Sequence, residues 1–392
     1  MKTELLSPAG DFPSLMAAID AGADAVYLGL NDFNMRDSAK NFTLKDLKRI
    51  NQLCEKRVKK YLTLNTIIYD SELKKIEEIL KKVKGKVDAI ICWDFSVIEL
   101  CRKHKLPFHI STQASVANSE TAKFYKELGA ERIVLARELN LNQIKKISKI
   151  IPVECFAHGA MCVSISGRCF TSQFMRCKSA NRGQCTHPCR RAYLVKDDEG
   201  NELKLENNKV LSAKDLCTLP FIEKMKKAGI TAFKIEGRNR SAEYVKAVTS
   251  AYRKALDKKL SKEEINEEIG KLKQVYNRDF SSGFYLGVPT SDDFTKTEDG
   301  EAGESKHVVG RIINYWPKIG VAHMKLFTKS LKISDEIYIK GNKTGIVRTK
   351  VTDMQINHKP ITEAKKGDDI GIKLPFCRKN DEVFIIVKNN KK

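Results

Sequence analysis

Six of the chain's eleven cysteines, Cys162, Cys169, Cys177, Cys185, Cys189 and Cys217, crowd into the middle of 392 residues. Thiolates are soft ligands, so such a concentration asks first what they bind. Cys162 and Cys169 are seven apart, Cys185 and Cys189 four apart, and Cys217 stands alone. That does not fit the two tight pairs of a zinc ribbon. Irregular spacing suits an iron-sulfur cluster better, because a cubane needs only four soft ligands converging in a dry pocket from loops of any length. The interleaved Gly159, Ser164, Ser166, Gly167, Gly183 and Thr186 are small enough to let backbone amides approach sulfurs. Zinc, or no metal with reduced structural or redox-active thiols, are the other readings. Strand-like Leu5-Leu6 so near Met1 leaves no room for a signal peptide, which predicts a cytoplasmic protein with free or metal-bound thiols rather than disulfides.

A second chemical set lies at the ends of short apolar runs. Ala17 to Ala23 precedes Ala25-Val26-Tyr27-Leu28-Gly29, Glu127 to Ala130 precedes Arg132 to Leu135, and Lys227 to Ile230 precedes Ala232 to Ile235. Each reads as a helix closed by a glycine (Gly22, Gly129, Gly229) and feeding a buried strand. Adding Leu5-Leu6, Leu62-Leu64-Ile67-Ile68, Ala89 to Trp93, Phe108 to Ile110 and Val153 to Phe156 makes eight runs separated by helical patterns. Eight such units predict an α/β fold, a (β/α)₈ TIM-like barrel closing near Gly237, with a doubly wound open sheet as the alternative. Barrel chemistry belongs at the carboxyl ends of strands. The candidates there are Ser7, Gly10, Asn65, Asp94, Thr112, Gln113, Arg137, Glu138, His158, Gly159, Glu236 and Arg238.

The expected organisation is a barrel over 1–290, a cysteine-rich insertion over 159–230 after strand 7, covering helices over 241–280, and a small C-terminal β-barrel over 305–390. The insertion is the anomaly, since 72 residues separate His158 from Thr231 and long irregular segments in compact domains are usually functional. In the tail, Val308 to Ile312, Glu336 to Ile339 and Val383 to Ile386 alternate as strands, with turns at Gly341-Asn342-Lys343 and Lys366-Gly367-Asp368. No apolar window is long enough for a membrane span. Seventy-one Lys plus Arg against 49 Asp plus Glu give a formal charge of +22, which fits a polyanionic partner such as RNA; lysine-rich outer helices needing solvation would give the same excess.

One group of residues carries a recognisable signature: Glu154, Phe156, His158-Gly159-Ala160-Met161-Cys162, Ser166-Gly167-Arg168-Cys169, Asn181-Arg182-Gly183-Gln184-Cys185, Pro188-Cys189-Arg190, Ser212 to Leu216, and Lys234-Ile235-Glu236-Gly237-Arg238. It closely resembles the collagenase-like U32 peptidase family, from Leu6-Ser7-Pro8-Ala9-Gly10 to the C-terminal module. The resemblance implies an enzyme. Members were labelled peptidases, several are oxygen-independent hydroxylases, and the branch this chain looks most like makes 5-hydroxyuridine at the tRNA wobble position using prephenate. Others hydroxylate ribosomal RNA or a quinone precursor. By likeness to the quinone-pathway relatives, Cys162, Cys169, Cys185 and Cys217 would ligate a 4Fe-4S cluster, with Cys189 as the substitute. Many members of the tRNA branch lack a match to Cys217, whereas the C-terminal module favours an RNA substrate.

On the hydroxylase reading the tRNA base is extruded toward the cluster while Arg168, Arg176, Arg182, Arg190 and Arg191 neutralise phosphates. Prephenate is a dicarboxylate, so Arg137 or Arg238 is expected to take it, unless these form salt bridges with Glu138 or Glu236. His158, Arg137, Glu236 and Arg238 are the candidate catalytic residues. A peptidase would need Cys162 activated by His158, with Glu154 as the orienting carboxylate. A third reading is a metal-stabilised RNA-binding scaffold without catalysis.

Overall fold

The computed structural model describes residues 3–388 apart from 38, 56, 192, 194–196, 201–210 and 296–303. Parts of the expected insertion and the end of the expected 305–390 module therefore lie outside the described residues.

Strands β1 (Glu4–Pro8), β2 (Ala25–Gly29), β3 (Lys59–Thr63), β4 (Ala89–Cys92), β5 (Phe108–Ile110), β6 (Arg132–Val134) and β7 (Val153–Gly159) pair in parallel in chain order, with β8 (Asp215–Cys217) as an added strand and β9 (Ala232–Ile235) next. Strand β9 pairs in parallel with both β7 and β1, so eight strands close into a barrel. Helices α1 (Phe12–Asp20), α2 (Leu47–Cys54), α3 (Leu73–Val83), α4 (Phe95–Lys103), α5 (Ser119–Glu127) and α6 (Leu141–Ile147) alternate with the first seven strands. After the insertion's short α7 (Thr171–Arg176) come α8 (Ile222–Lys227), α9 (Ala242–Asp257) and α10 (Lys262–Gln274). Strands β2 and β4 are buried throughout, which is why they read as continuous apolar runs.

Two expectations are corrected. The third strand is Lys59–Thr63, and Leu64 to Ile68 form the loop after it: the Leu64 amide still donates to Ile91 O at 2.9 Å, but the Asn65 amide turns to Phe33 O at 3.0 Å. The insertion also contains a strand, because β8 folds back antiparallel to β7 with Cys217 opposite His158 and Leu216 opposite Gly159. β10 (Phe280–Ser281) then adds in parallel to β8.

Beyond the barrel, β11 (Glu304–Trp316), β12 (Val321–Leu326), β13 (Leu331–Lys332), β14 (Glu336–Gly341), β15 (Gly345–Lys350), β16 (Met354–Ile356), β17 (Lys359–Pro360), β18 (Glu363–Ala364), β19 (Asp369–Lys373) and β20 (Glu382–Lys388) build an antiparallel module. Val309, Ile312, Met324, Ile337, Ile339, Ile370, Ile372 and Val383 form a core of its own. Tyr338, Ile346 and Ile386 instead join the barrel's core. Among the described residues no helix is long and apolar enough to cross a membrane.

Candidate functional site

The carboxyl ends of the strands open onto a cavity of about 390 Å³, walled on one side by strand-end residues and on the other by the insertion. Strand β7 runs straight into Ala160-Met161-Cys162, and the loop after β6 brings Arg137 alongside. The Arg137 guanidinium lies 3.9 Å over the Phe156 ring and donates to Ala160 O at 3.0 Å. Those two contacts hold it flat against the rim. Thr112, Gln113 and the exposed Glu138 line the same cavity.

Glu236, after β9, accepts a 2.8 Å charge-assisted bond from Arg36 Nη2. Burial alone would raise its carboxyl, but Arg36, Arg137 and Arg238 together hold it at about 2. A carboxylate among three guanidinium groups stays ionised and fixes their geometry. Arg238 is buried, with Nη1 donating to Thr63 Oγ1 at 3.2 Å; burial pulls its guanidinium down to about 10, so it is still a cation at neutral pH. A side chain at Gly29 would put its Cβ 2.2 Å from Arg238 Nη1, so the buried cation would have to shift to admit it.

Four thiols share the cavity wall: Cys162, Cys169, Cys185 and Cys189. The Ser164 amide donates to Cys162 Sγ and the Thr171 amide to Cys169 Sγ, each at 3.4 Å, while Ser172 Oγ donates to Cys185 Sγ at 3.9 Å. Donors aimed at sulfur stabilise thiolates. At Cys169 the hydroxyls of Ser164 and Thr171 and the Thr171 amide outweigh burial and lower the thiol. Burial raises the Cys189 thiol, and Cys162, Cys185 and Cys169 stand near enough for their charge to raise it further. The segments are tied together by the Cys169 amide on Asn181 Oδ1 and the Thr186 amide on Ser172 Oγ, both at 3.0 Å.

The two remaining cysteines of the cluster lie apart. Cys217 is buried on β8 with its sulfur 3.8 Å from the Tyr252 hydroxyl, and its thiol is pushed up to about 11 by that burial. It does not line the cavity. Cys177 is exposed and ends α7 in a left-handed conformation. Among the described residues no three His, Cys, Asp or Glu side chains are grouped closely enough to grip one metal ion.

Other sequence-predicted residues sit elsewhere. His158 is enclosed by Tyr244, Tyr252 and Phe280, its ring 5.3 Å from that of Phe280 and its Nδ1 3.4 Å from the Tyr252 hydroxyl. Burial drives the imidazole down to about 3, so it is neutral, and it does not reach Cys162 or the cavity wall. Arg190 is also internal, bonding Ala213 O at 2.6 Å, Ser212 Oγ at 3.2 Å and Met161 O. Arg182 is engaged by Glu72 in a two-pronged ion pair and lies 4.7 Å over the Tyr69 ring. Arg168, Arg176 and Arg191 are exposed. The buried Glu154 is bonded to Lys234 at 2.7 Å and Arg132 at 3.3 Å inside the barrel.

Among the cavity residues that escaped the sequence reading are two basic ones. Arg36 comes from the loop after β2, where no run ending marks it. His187 lies between Cys185 and Cys189 in a left-handed conformation (φ 55°) ahead of Pro188. It opens onto the cavity, yet the surrounding protein and then the guanidinium groups of Arg36, Arg278 and Arg190 push its imidazole down to about 4. The cavity therefore presents a neutral imidazole beside cations and thiols.

The chain is 41% identical over 98% of both chains to an uncharacterized protease of Methanocaldococcus jannaschii. It is 40% identical, over 94% of each, to a collagenase of Porphyromonas gingivalis. Bacillus subtilis tRNA hydroxylation protein P1 is 35% identical over 80% of this chain and 78% of its own length. A family model, Peptidase family U32, matches residues 10–295, which include every cavity-lining residue named above; the chain belongs to that family.

Proposed function

We propose that this protein is an RNA-modifying hydroxylase that converts the wobble uridine of tRNA to 5-hydroxyuridine without molecular oxygen, with prephenate as co-substrate and a 4Fe-4S cluster at the barrel mouth. The observation that carries the reading is the convergence of Cys162, Cys169, Cys185 and Cys189 on one cavity whose other wall holds Arg36 and Arg137. Cys162, Cys169 and Cys185 would hold the cluster, with Cys189 or Cys217 as fourth ligand; Cys189 is favoured because it faces the cavity. When bound, the cluster supplies one-electron redox chemistry. Relatives named for tRNA hydroxylation support the substrate class.

The chain's own groups have separable tasks. Arg137 offers a planar fork to a carboxylate of prephenate, and Arg238, ionised behind Thr63, adds positive potential without reaching solvent. Glu236 keeps Arg36 pointed into the cavity. His187, between Cys185 and Cys189, faces the same cavity. An extruded base would enter the cavity that Thr112 and Gln113 line.

A collagenase reading is favoured by the names of relatives such as the Porphyromonas gingivalis collagenase. It needs an activated nucleophile, and among the described residues no cavity cysteine is hydrogen-bonded to a histidine. The deciding experiment is anaerobic purification with iron and sulfide analysis, paired with mass spectrometry of tRNA from a deletion strain. About four irons per chain and loss of the wobble modification are expected. A metal-free chain that cleaves gelatin, with tRNA unchanged in the deletion strain, would overturn the proposal.

A further inference from the structure

The insertion carries an exposed apolar surface just outside the cavity that the proposed chemistry does not use. Phe170 caps the start of α7 and Phe174 follows one turn later, so both project from the same face. They are 65% and 82% exposed, with ring centroids 6.1 Å apart. Large apolar side chains left this open normally mark an interaction surface. Val163 and Met175 are exposed too, and both also line the cavity, so the patch continues into it.

Charge identifies the occupant. Between Glu154 and Asp197 the chain has no acidic residue, yet it contains Arg168, Arg176, Lys178, Arg182, Arg190, Arg191 and Lys196. In a protein with 49 acidic residues, their absence from this one segment describes a surface built for a polyanion. Arg168, Arg176 and Lys178, all within four residues of one or other ring in sequence, are exposed, as is Arg191. Open aromatic faces interleaved with cations match single-stranded nucleic acid, whose bases stack while its phosphates are neutralised. They match a duplex poorly, since its base faces are already stacked, and an apolar protein partner would not select for the missing carboxylates.

We infer that Phe170 and Phe174 form a stacking platform for unpaired RNA nucleotides adjoining the base that enters the cavity, with Arg168 and Arg176 on the intervening phosphates. This rests on the reading of the protein as an RNA-modifying enzyme and adds where the substrate is gripped and that it must be single-stranded there. The platform explains selection of a loop, because only an unpaired strand exposes base faces to both rings.

The test is fluorescence anisotropy on the full chain with a labelled hairpin RNA and with a blunt duplex of the same length. The wild type should prefer the hairpin. Phe170→Ala and Phe174→Ala should each weaken hairpin binding roughly tenfold with an unchanged slope of log affinity against log salt, whereas Arg176→Ala should reduce that slope by about one. Phe174→Trp should restore affinity. The rings are exposed, so unchanged melting temperatures will show that the variants are folded. Wild-type binding with unaffected phenylalanine variants would sink the platform and leave the RNA reading standing; a wild type with no RNA affinity would sink both. Self-association in sedimentation that Phe174→Ala abolishes would assign the patch to a second copy of the chain and overturn the inference.

Discussion

At the scale of single residues, one group at the site keeps its charge and another, buried outside the cavity, refuses it. Glu236, held at about 2 against an ordinary value of 4.5, stays ionised; its stabilising contribution is complete above the ordinary value and disappears as pH falls through 2. His158, held at about 3 against 6.5, stays neutral. Between those values the unfolded chain binds a proton that the folded chain does not, so stability falls as pH drops from 6.5 toward 3. His158→Phe should flatten the melting temperature over pH 6 to 4, since Tyr252 keeps its 2.7 Å bond to Ala157 O and the cage still holds a ring. An unaltered pH profile would mean that His158 is not the titrating group. At pH 7, Glu236→Gln should cost roughly 3 to 5 kcal/mol, since three cations lose their shared counter-charge, and denaturant titration reads this directly. The cysteines were legible because six of them crowd one segment. Arg36 was not, because its role depends on a tertiary contact with Glu236, 200 residues away.

At the scale of elements, periodicity exposed what was regular and missed what was short. Eight buried runs were visible because both faces of a barrel strand are apolar, and Gly22, Gly129 and Gly229 closed their helices with φ of 84°, 94° and 81°. Asp215-Leu216-Cys217 was invisible as a strand: three residues set no period, and only pairing with β7 makes them one. Leu64 to Ile68 misled because its apolar residues pack in the loop over the barrel rather than in the sheet. How the insertion is held in place follows from contacts of the same non-local kind. Gly183 (φ 89°) accepts the Asp37 amide at 3.1 Å, and a Cβ there would stand 2.3 Å from Asn34 O. Gly183→Ala should therefore part the cysteine wall from the loop carrying Arg36, with strain of roughly 1 to 3 kcal/mol before the clash is counted. Hydrogen exchange should then quicken in residues 161–191 while β1 to β6 remain protected. Equal protection in both proteins would show that this junction does not anchor the insertion.

At the scale of the molecule, the question is whether the C-terminal module is a passenger or a part of the barrel. Its own core is small for an isolated domain, where buried area only just offsets chain entropy. The packing gives it more. Ile346 on β15 is 2% exposed and belongs to the barrel's core cluster; Gly345 beside it fits against Met16 of α1; and Lys246 of α9 donates to Ile346 O at 2.6 Å. Lys306 reaches Glu243 at 3.8 Å across the same junction. Helices α1 and α9 flank β1, so a load on the module is carried to the strand that closes the barrel against β9. These contacts predict one cooperative unfolding transition for the whole chain. Ile346→Ala removes the buried wedge without touching the module's own core and should cost about 2 to 4 kcal/mol. Calorimetry should then resolve two transitions, with the module melting first. Two transitions already present in the wild type would mean that the junction does not couple the bodies, and the module would then act as a separately folded arm beside the cavity.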